Sequence, residues 1–299
     1  MPIPACIDAL RPGQWVKNSL VFAGGFFALA DRNQSVSAGH AAARGAAAFA
    51  VFCLVSGAVY LMNDVHDAEA DALHPEKRRR PVASGRLPKR AALAEAALAL
   101  ALGFAAAPAL GTGFAAAAAA YFALQVAYTF ALKRVPLADA ACIAAGFSLR
   151  VAAGAFAAGA AVYPWILACA FLLALFIALG KRRAELAELG PDEAPRHRAV
   201  LARYTVRGLD RACTAVAAAA VAAYAAWTVA PSTTAKFGTS GLAATVLPVA
   251  FGVVRYLRVV LRGEGGGRPE KTFLRTPALL AAVLVWLASC VAVWTLANR

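Results

Sequence analysis

The chain has 299 residues, 61% hydrophobic and 15% charged, against roughly 25% charged in ordinary soluble domains, and its mean hydropathy is +0.64. That composition excludes a soluble domain with a large core and a nucleic-acid-binding module, and it predicts an all-α integral membrane protein. The 30 Lys+Arg against 16 Asp+Glu, a net charge of +14, leave two uses for the excess: anchoring loops on one side of a bilayer, or attracting an anionic substrate.

Residues 1–18 contain two prolines and no uninterrupted apolar core, so no cleavable signal peptide is expected. Nine candidate apolar stretches follow, at approximately 17–31, 38–62, 91–109, 112–131, 138–158, 162–180, 209–230, 239–258 and 276–297, the first of them short and Gly-containing. They are spread evenly, which predicts a single polytopic membrane domain over 1–299. The tract Ala115–Ala120 suits small-residue helix packing better than a lipid-facing surface. Basic residues concentrate at Arg11 and Lys17 and in segments 63–90, 131–138, 180–211 and 255–275. Segments 31–37, 110–112, 159–163 and 231–238 hold only Arg32 and Lys236. The positive-inside rule then puts the N-terminus and the basic loops in the cytoplasm and the C-terminus outside. The expected location is the plasma membrane, multi-pass, with the active-site loops near 63–90 and 180–211 facing the cytoplasm. The Gly-rich stretch 263–269 (GEGGGRP) lacks G-x-x-x-x-G-K-[ST] and reads as a flexible connection.

Chemistry concentrates in Leu61–Pro88, LMNDVHDAEADALHPEKRRRPVASGRLP. If Asn63–Asp71 is helical, Asp64, Asp67 and Asp71 follow i, i+3, i+7 on one face, with Asn63 beside them. Like charges stacked this way repel unless a cation lies between them. Oxygen-only ligands suit a hard cation, and Mg2+ shared between carboxylates and substrate phosphates is the natural case. His74, Glu76 and the run Lys77, Arg78, Arg79, Arg80 follow directly, so one short stretch offers metal ligands and phosphate counter-charges. Lys17 and Asn18 sit at the cytoplasmic end of the first stretch. Lys133 and Arg134 lie in AYTFALKRVPLADA, which also holds Tyr128. Asp139 enters an apolar helix, and Arg150 lies on the same face about 16 Å deeper. An arginine at that depth faces the bundle interior and is paired. Lys181 and Glu185 are i, i+4 in GKRRAEL, and Arg198 lies in the same loop. His66, His74 and His197 have no zinc spacing. Cys6, Cys53, Cys142, Cys169, Cys213 and Cys290 show no C-x-x-C and read as small apolar fillers.

The pattern N-D-x-x-D-x-x-x-D at Asn63, Asp64, Asp67 and Asp71 resembles the first metal motif of the UbiA-type intramembrane prenyltransferase superfamily. RPGQWVKNSLVF, DAEADALHPEKRRRPVASG, LKRVPLAD and GKRRAEL resemble its decaprenyl-phosphate phosphoribosyltransferase branch, over essentially the whole chain. The resemblance implies nine transmembrane helices around a central cavity open to the cytoplasmic side, with Mg2+-bound diphosphate. Aromatic prenyltransferases of the superfamily carry a second D-x-x-x-D motif after the sixth helix. Lys181, Arg182, Arg183 and Glu185 stand there instead, which favours a donor with an extra phosphate. The implied reaction is Mg2+-dependent transfer of 5-phosphoribosyl from phosphoribosyl diphosphate to a polyprenyl (decaprenyl) phosphate, in supply of cell-wall arabinan precursors. Asp64, Asp67 and Asp71, with Asn63 assisting, would hold the metal. Lys17, Asn18, Lys77, Arg78, Arg80, Tyr128, Lys133, Asp139, Arg150, Lys181, Arg182, Glu185 and Arg198 would bind substrate. The alternatives are an aromatic prenyltransferase of the same fold and an anionic-metabolite transporter. A homo-oligomer is compatible with the sequence.

Overall fold

Long runs of alanine and leucine, punctuated by capping residues, proline and glycine, shape this chain. The computed structural model describes residues 4–73, 77–265, 267 and 269–297. His74, Glu76, Arg268 and the side chain of His197 lie outside the described residues. Every regular element among the described residues is helical. Eight of these helices are long and apolar enough to cross a membrane. They are α1 (Ala38–His66), α2 (Lys89–Ala106), α3 (Thr112–Phe130), α4 (Ala138–Ala157), α5 (Pro164–His197), α6 (Val206–Val229), α7 (Val246–Arg262) and α8 (Pro277–Ala297).

Local chemistry sets their ends. Ser37 Oγ accepts the His40 N–H at the start of α1, and Thr205 Oγ1 accepts the Gly208 N–H at the start of α6. These side chains satisfy donors that the first helical turn leaves open. Pro164 occupies the first turn of α5, where its missing N–H is harmless. Gly190, at φ 74, breaks α5 near its end, in a left-handed conformation that glycine adopts without steric cost.

The structure departs from the sequence reading at the first apolar stretch. In place of one helix over 17–31, a 3-10 helix, Pro12–Leu20, leads into a short α-helix, Val21–Ala28. Asn18, at the end of the tighter coil, is drawn inward. Its Nδ2 donates to Ser56 Oγ at 3.1 Å and reaches Cys53 Sγ at 3.4 Å. The expected loop 180–211 is also more ordered than a loop, because α5 continues through the good helix formers of KRRAELAEL.

The chain divides into two compact units. The first comprises residues 1–29, 36–131 and 149–162; the second comprises 30–35, 132–148 and 163–299. In the first unit α1 packs on α2, α3 and Val21–Ala28. Its core joins Val21, Phe52, Phe114, Tyr121 and Ala153 on one side of α1, and Ala9, Leu61, Val82, Ala92 and Ala96 on the other. Glycines allow the closest approach. A Cβ on Gly154 would fall on the Val21 carbonyl, and one on Gly24 would fall on the Ala155 backbone nitrogen. Backbone cannot swing aside as a side chain does. Gly154→Val is therefore expected to destabilise the protein by about 3 kcal/mol, read as faster thermal inactivation in detergent. Gly39→Val, which meets nothing within 4 Å, serves as the near-neutral control.

In the second unit α5 packs on α6 and on the 3-10 helix Ala199–Arg203, and α7 packs on α6 and α8. Phe176, Leu179, Leu201, Leu209, Cys213, Tyr256, Val260 and Leu279 form its core. A polar knot ties three of its loops together. Asp31 Oδ2 accepts from Tyr163 Oη at 2.5 Å and from Gln34 Nε2 at 2.6 Å, and Lys236 Nζ lies 2.8 Å from the centroid of the Tyr163 ring.

Candidate active site

The acidic motif straddles a helix end. Helix α1 stops at His66, Asp67 takes a non-helical conformation (φ −96, ψ 9), and a short helix, Ala68–Leu73, resumes. The i to i−4 bonding persists across the break, from Asp67 N–H to Asn63 C=O and from Asp71 N–H to Asp67 C=O. The three acids nevertheless have different surroundings. Asp64 and Asp71 are buried, at 1% and 3% exposure. Both accept from one cation: Arg80 Nη1 lies 3.2 Å from Asp64 Oδ1 and 2.5 Å from Asp71 Oδ2. Arg11 also donates to Asp64 Oδ1, and its guanidinium lies 4.9 Å from the centroid of the Tyr60 ring. Lys77 Nζ stands 3.8 Å from Asp71 Oδ1. Asp67 is half-buried and its Oδ1 meets His66 Nδ1 at 2.6 Å. Asn63 is half-buried, and Arg78 is exposed on the 3-10 turn Lys77–Arg79.

Among the described residues no three His, Cys, Asp or Glu side chains form a ready metal cluster. Two observations still fit a hard divalent ion here. Asp64 and Asp71 converge on a shared positive charge, and Asp64 Oδ2 is buried with no hydrogen-bond partner among the described residues. An unmatched buried oxygen of that kind is costly. A carboxylate oxygen beside a second carboxylate is also the donor type that Mg2+ selects.

Elsewhere in the first unit, Arg150 is 4% exposed. Its Nε donates to Asn18 Oδ1 at 2.9 Å and its Nη2 to Tyr121 Oη at 2.8 Å, with the Tyr121 ring centroid 4.5 Å from the guanidinium. Arg150 and Asn18, expected to bind substrate, are thus interior groups that pin the 3-10 segment. Burial at this depth leaves them no open face. Lys17, the residue before Asn18, is half-buried, as is Tyr128.

In the second unit Asp139 is the hub, with 0% exposure. Its Oδ2 accepts from Arg182 Nε at 2.6 Å and lies 3.6 Å from Arg198 Nη1, while its Oδ1 accepts from Tyr204 Oη at 2.9 Å. Arg182, 2% exposed, also donates to Glu185 Oε2 at 2.9 Å. Arg183 Nε donates to Asp210 Oδ1 at 2.9 Å and its Nη2 to the Leu261 carbonyl at 2.8 Å. Lys181, Arg182 and Arg183, the basic patch expected to favour a donor with an extra phosphate, do not share one environment. Arg182 and Arg183 turn inward onto carboxylates because buried guanidinium groups need them. Lys181, near Glu185 at 4.0 Å, stays about half exposed, and Lys133 and Arg198 are half-buried. Burial, together with Asp139, pushes the Tyr204 phenol up to about 12, so it remains a donor at any working pH.

Arg11, Tyr121, Tyr204 and Asp210 were absent from the expected site. Arg11 lies within the quoted stretch RPGQWVKNSLVF and Tyr204 within the basic segment 180–211, but nothing in their spacing names their partners.

With this geometry in place, the UbiA prenyltransferase family profile matches residues 19–277. The chain belongs to this family. It is 37% identical to the decaprenyl-phosphate phosphoribosyltransferase of Corynebacterium glutamicum, over 94% of this chain and 84% of that one. To the decaprenyl-phosphate phosphoribosyltransferase of Mycolicibacterium smegmatis it is 34% identical, over 96% and 91%. A solved UbiA homolog from Archaeoglobus fulgidus, bound to GPP and Mg2+, superposes with a TM-score of 0.71 over 97% of this chain and 99% of that one. At 19% identity this likeness establishes a shared UbiA fold.

Proposed function

We propose that this protein transfers 5-phosphoribosyl from phosphoribosyl diphosphate to a polyprenyl phosphate of the decaprenyl class, releasing diphosphate. The near-full-length likeness to decaprenyl-phosphate phosphoribosyltransferases carries this reading. The paired carboxylates of Asp64 and Asp71 around one cation support it. An oxygen of the lipid phosphate attacks C1 of the ribose, the bond from C1 to the diphosphate oxygen breaks, and diphosphate departs. The attacking oxygen is already anionic, so no general base is required. Asp64 and Asp71, with Asp67 and Asn63, are the residues that would hold Mg2+, which supplies charge neutralisation to the leaving diphosphate. Arg80 and Arg11 hold the carboxylates in place. Lys77, Arg78, Lys17, Lys133, Lys181 and Arg198 are the partly exposed cations available to the remaining phosphates, and fixed charge of this kind lowers the barrier where negative charge accumulates. Holding the two polyanions in line supplies much of the rest, with inversion at C1.

The same proposal includes one polytopic domain over 1–299, the N-terminus in the cytoplasm and the family's cavity open to that side. It also includes a ninth span. The 3-10 helix Pro12–Leu20, at about 2.0 Å per residue, and Val21–Ala28, at about 1.5 Å, together reach about 30 Å, the thickness of a hydrocarbon core.

Purified protein given Mg2+, phosphoribosyl diphosphate and decaprenyl phosphate is expected to yield a phosphoribosylated lipid and stoichiometric diphosphate. No transfer, under conditions where a prenyl diphosphate and an aromatic acceptor do react, would overturn the proposal.

A further inference from the structure

The connection between α3 and α4 contains a strained turn that packing does not hold. A 3-10 turn, Leu132–Arg134, carries Lys133 and Arg134. Leu137 then adopts φ +64, one of two non-glycine residues with positive φ among the described residues. The Ala138 N–H donates to the Pro136 carbonyl at 2.8 Å, which closes a three-residue γ-turn centred on Leu137. A γ-turn with its central residue at positive φ is rare and strained, and strain of this sort persists only where surrounding contacts over-determine it. The Leu137 side chain is 59% exposed, so it is not the anchor.

The anchor is a hydroxyl 67 positions away. The Leu137 N–H donates to Tyr204 Oη at 2.6 Å. Tyr204 Oη in turn donates to Asp139 Oδ1 at 2.9 Å, and Asp139 is fixed by Arg182. Asp139 N–H and Ala141 N–H donate back to the carbonyls of Val135 and Leu137, so the first turn of α4 is built on the strained turn. Tyr204 directly follows the 3-10 helix Ala199–Arg203, which packs on Leu132–Arg134. A phenol suits the position, because it can accept from the strained N–H and donate to the carboxylate at once.

We propose that Tyr204 is a positioning residue that locks the turn at Leu137 and thereby fixes Lys133 and Arg134 for the phosphate groups of the substrate. The role assigned to those two cations rests on the phosphoribosyl transfer proposed above; the lock itself does not.

The test is Tyr204→Phe in the full-length protein. Hydrogen exchange without substrate is expected to quicken about tenfold in peptides covering 132–138, with the core of α6 unchanged. KM for phosphoribosyl diphosphate is expected to rise about tenfold while kcat stays within about threefold, the signature of lost ground-state binding. Adding Leu137→Gly, which accepts positive φ without strain, is expected to recover most of both changes. Unchanged exchange in 132–138 would overturn the lock, as would a uniform increase across the second unit. Faster exchange with unaltered KM would overturn the positioning of the cations. If wild-type protein transfers no phosphoribosyl at all, the functional reading falls, while the exchange measurement still decides the lock.

Discussion

Asp64→Asn is expected to lower phosphoribosyl transfer by on the order of 10³-fold, with the protein still folded. The size follows from what one oxygen must do. Asp64 is buried at 1% exposure, shares Arg80 with Asp71, and keeps Oδ2 unmatched. An amide retains the shape but supplies neither the charge nor the second acceptor. Losing several kcal/mol of metal-borne charge stabilisation, at a factor of ten per about 1.36 kcal/mol, gives that range. Arg11 and Arg80 are 23% and 26% exposed, so water can take up their freed charge and the fold survives. Asp67→Asn is expected to cost only on the order of tenfold, because Asp67 is half-buried and turned to His66. Initial rates of lipid phosphoribosylation, with Mn2+ binding followed by electron paramagnetic resonance, separate the two. Equal losses at positions 64 and 67 would restore the equivalence of the three acids; near-normal turnover in Asp64→Asn would remove the metal assignment.

The second large effect is on stability. Asp139 and Arg182 are 0% and 2% exposed, and truncating one partner of such a pair leaves a buried charge without its counter-charge. Asp139→Ala is expected to destabilise the protein by about 3–5 kcal/mol, seen as a much shorter half-life on heating in detergent. Glu185 still reaches Arg182, which places the loss toward the lower end. Asp139→Leu combined with Arg182→Met is expected to restore most of the half-life, since an apolar pair of similar volume removes the desolvation cost altogether. A single variant as durable as wild type would contradict this, as would a double variant no better than Asp139→Ala.

These two sites differ in how much of them the sequence discloses. The register of Asp64, Asp67 and Asp71 is local, so helical geometry alone places Asp64 and Asp71 near one another. The break at Asp67, which turns that side chain aside, depends on where α1 ends and has no strong marker in the sequence. For the basic run at 181–183, residue type reveals charge but not its destination. Asp139 lies 43 positions from Arg182 and Asp210 lies 27 from Arg183, and only folding joins them. Arg150 shows the same limit. Its depth in an apolar helix announces a paired, inward arginine, yet its described partners, Asn18 and Tyr121, are neutral groups from distant segments. Apolar length foretells the eight helices able to span. It overstates continuity at 17–31, because Pro12 and the inward pull on Asn18 favour the tighter 3-10 coil.

That broken first segment bears on how the protein is made. A ribosome releases residues 12–28 well before anything that can satisfy them. Ser56 follows Asn18 by 38 residues and Arg150 by 132. Until then Asn18 has neither of the partners that hold it in the folded protein. At roughly 5–20 residues per second, the wait for Arg150 lasts on the order of 10 s. The segment is made before the groups that hold Asn18, so its place in the fold is completed by helices made after it.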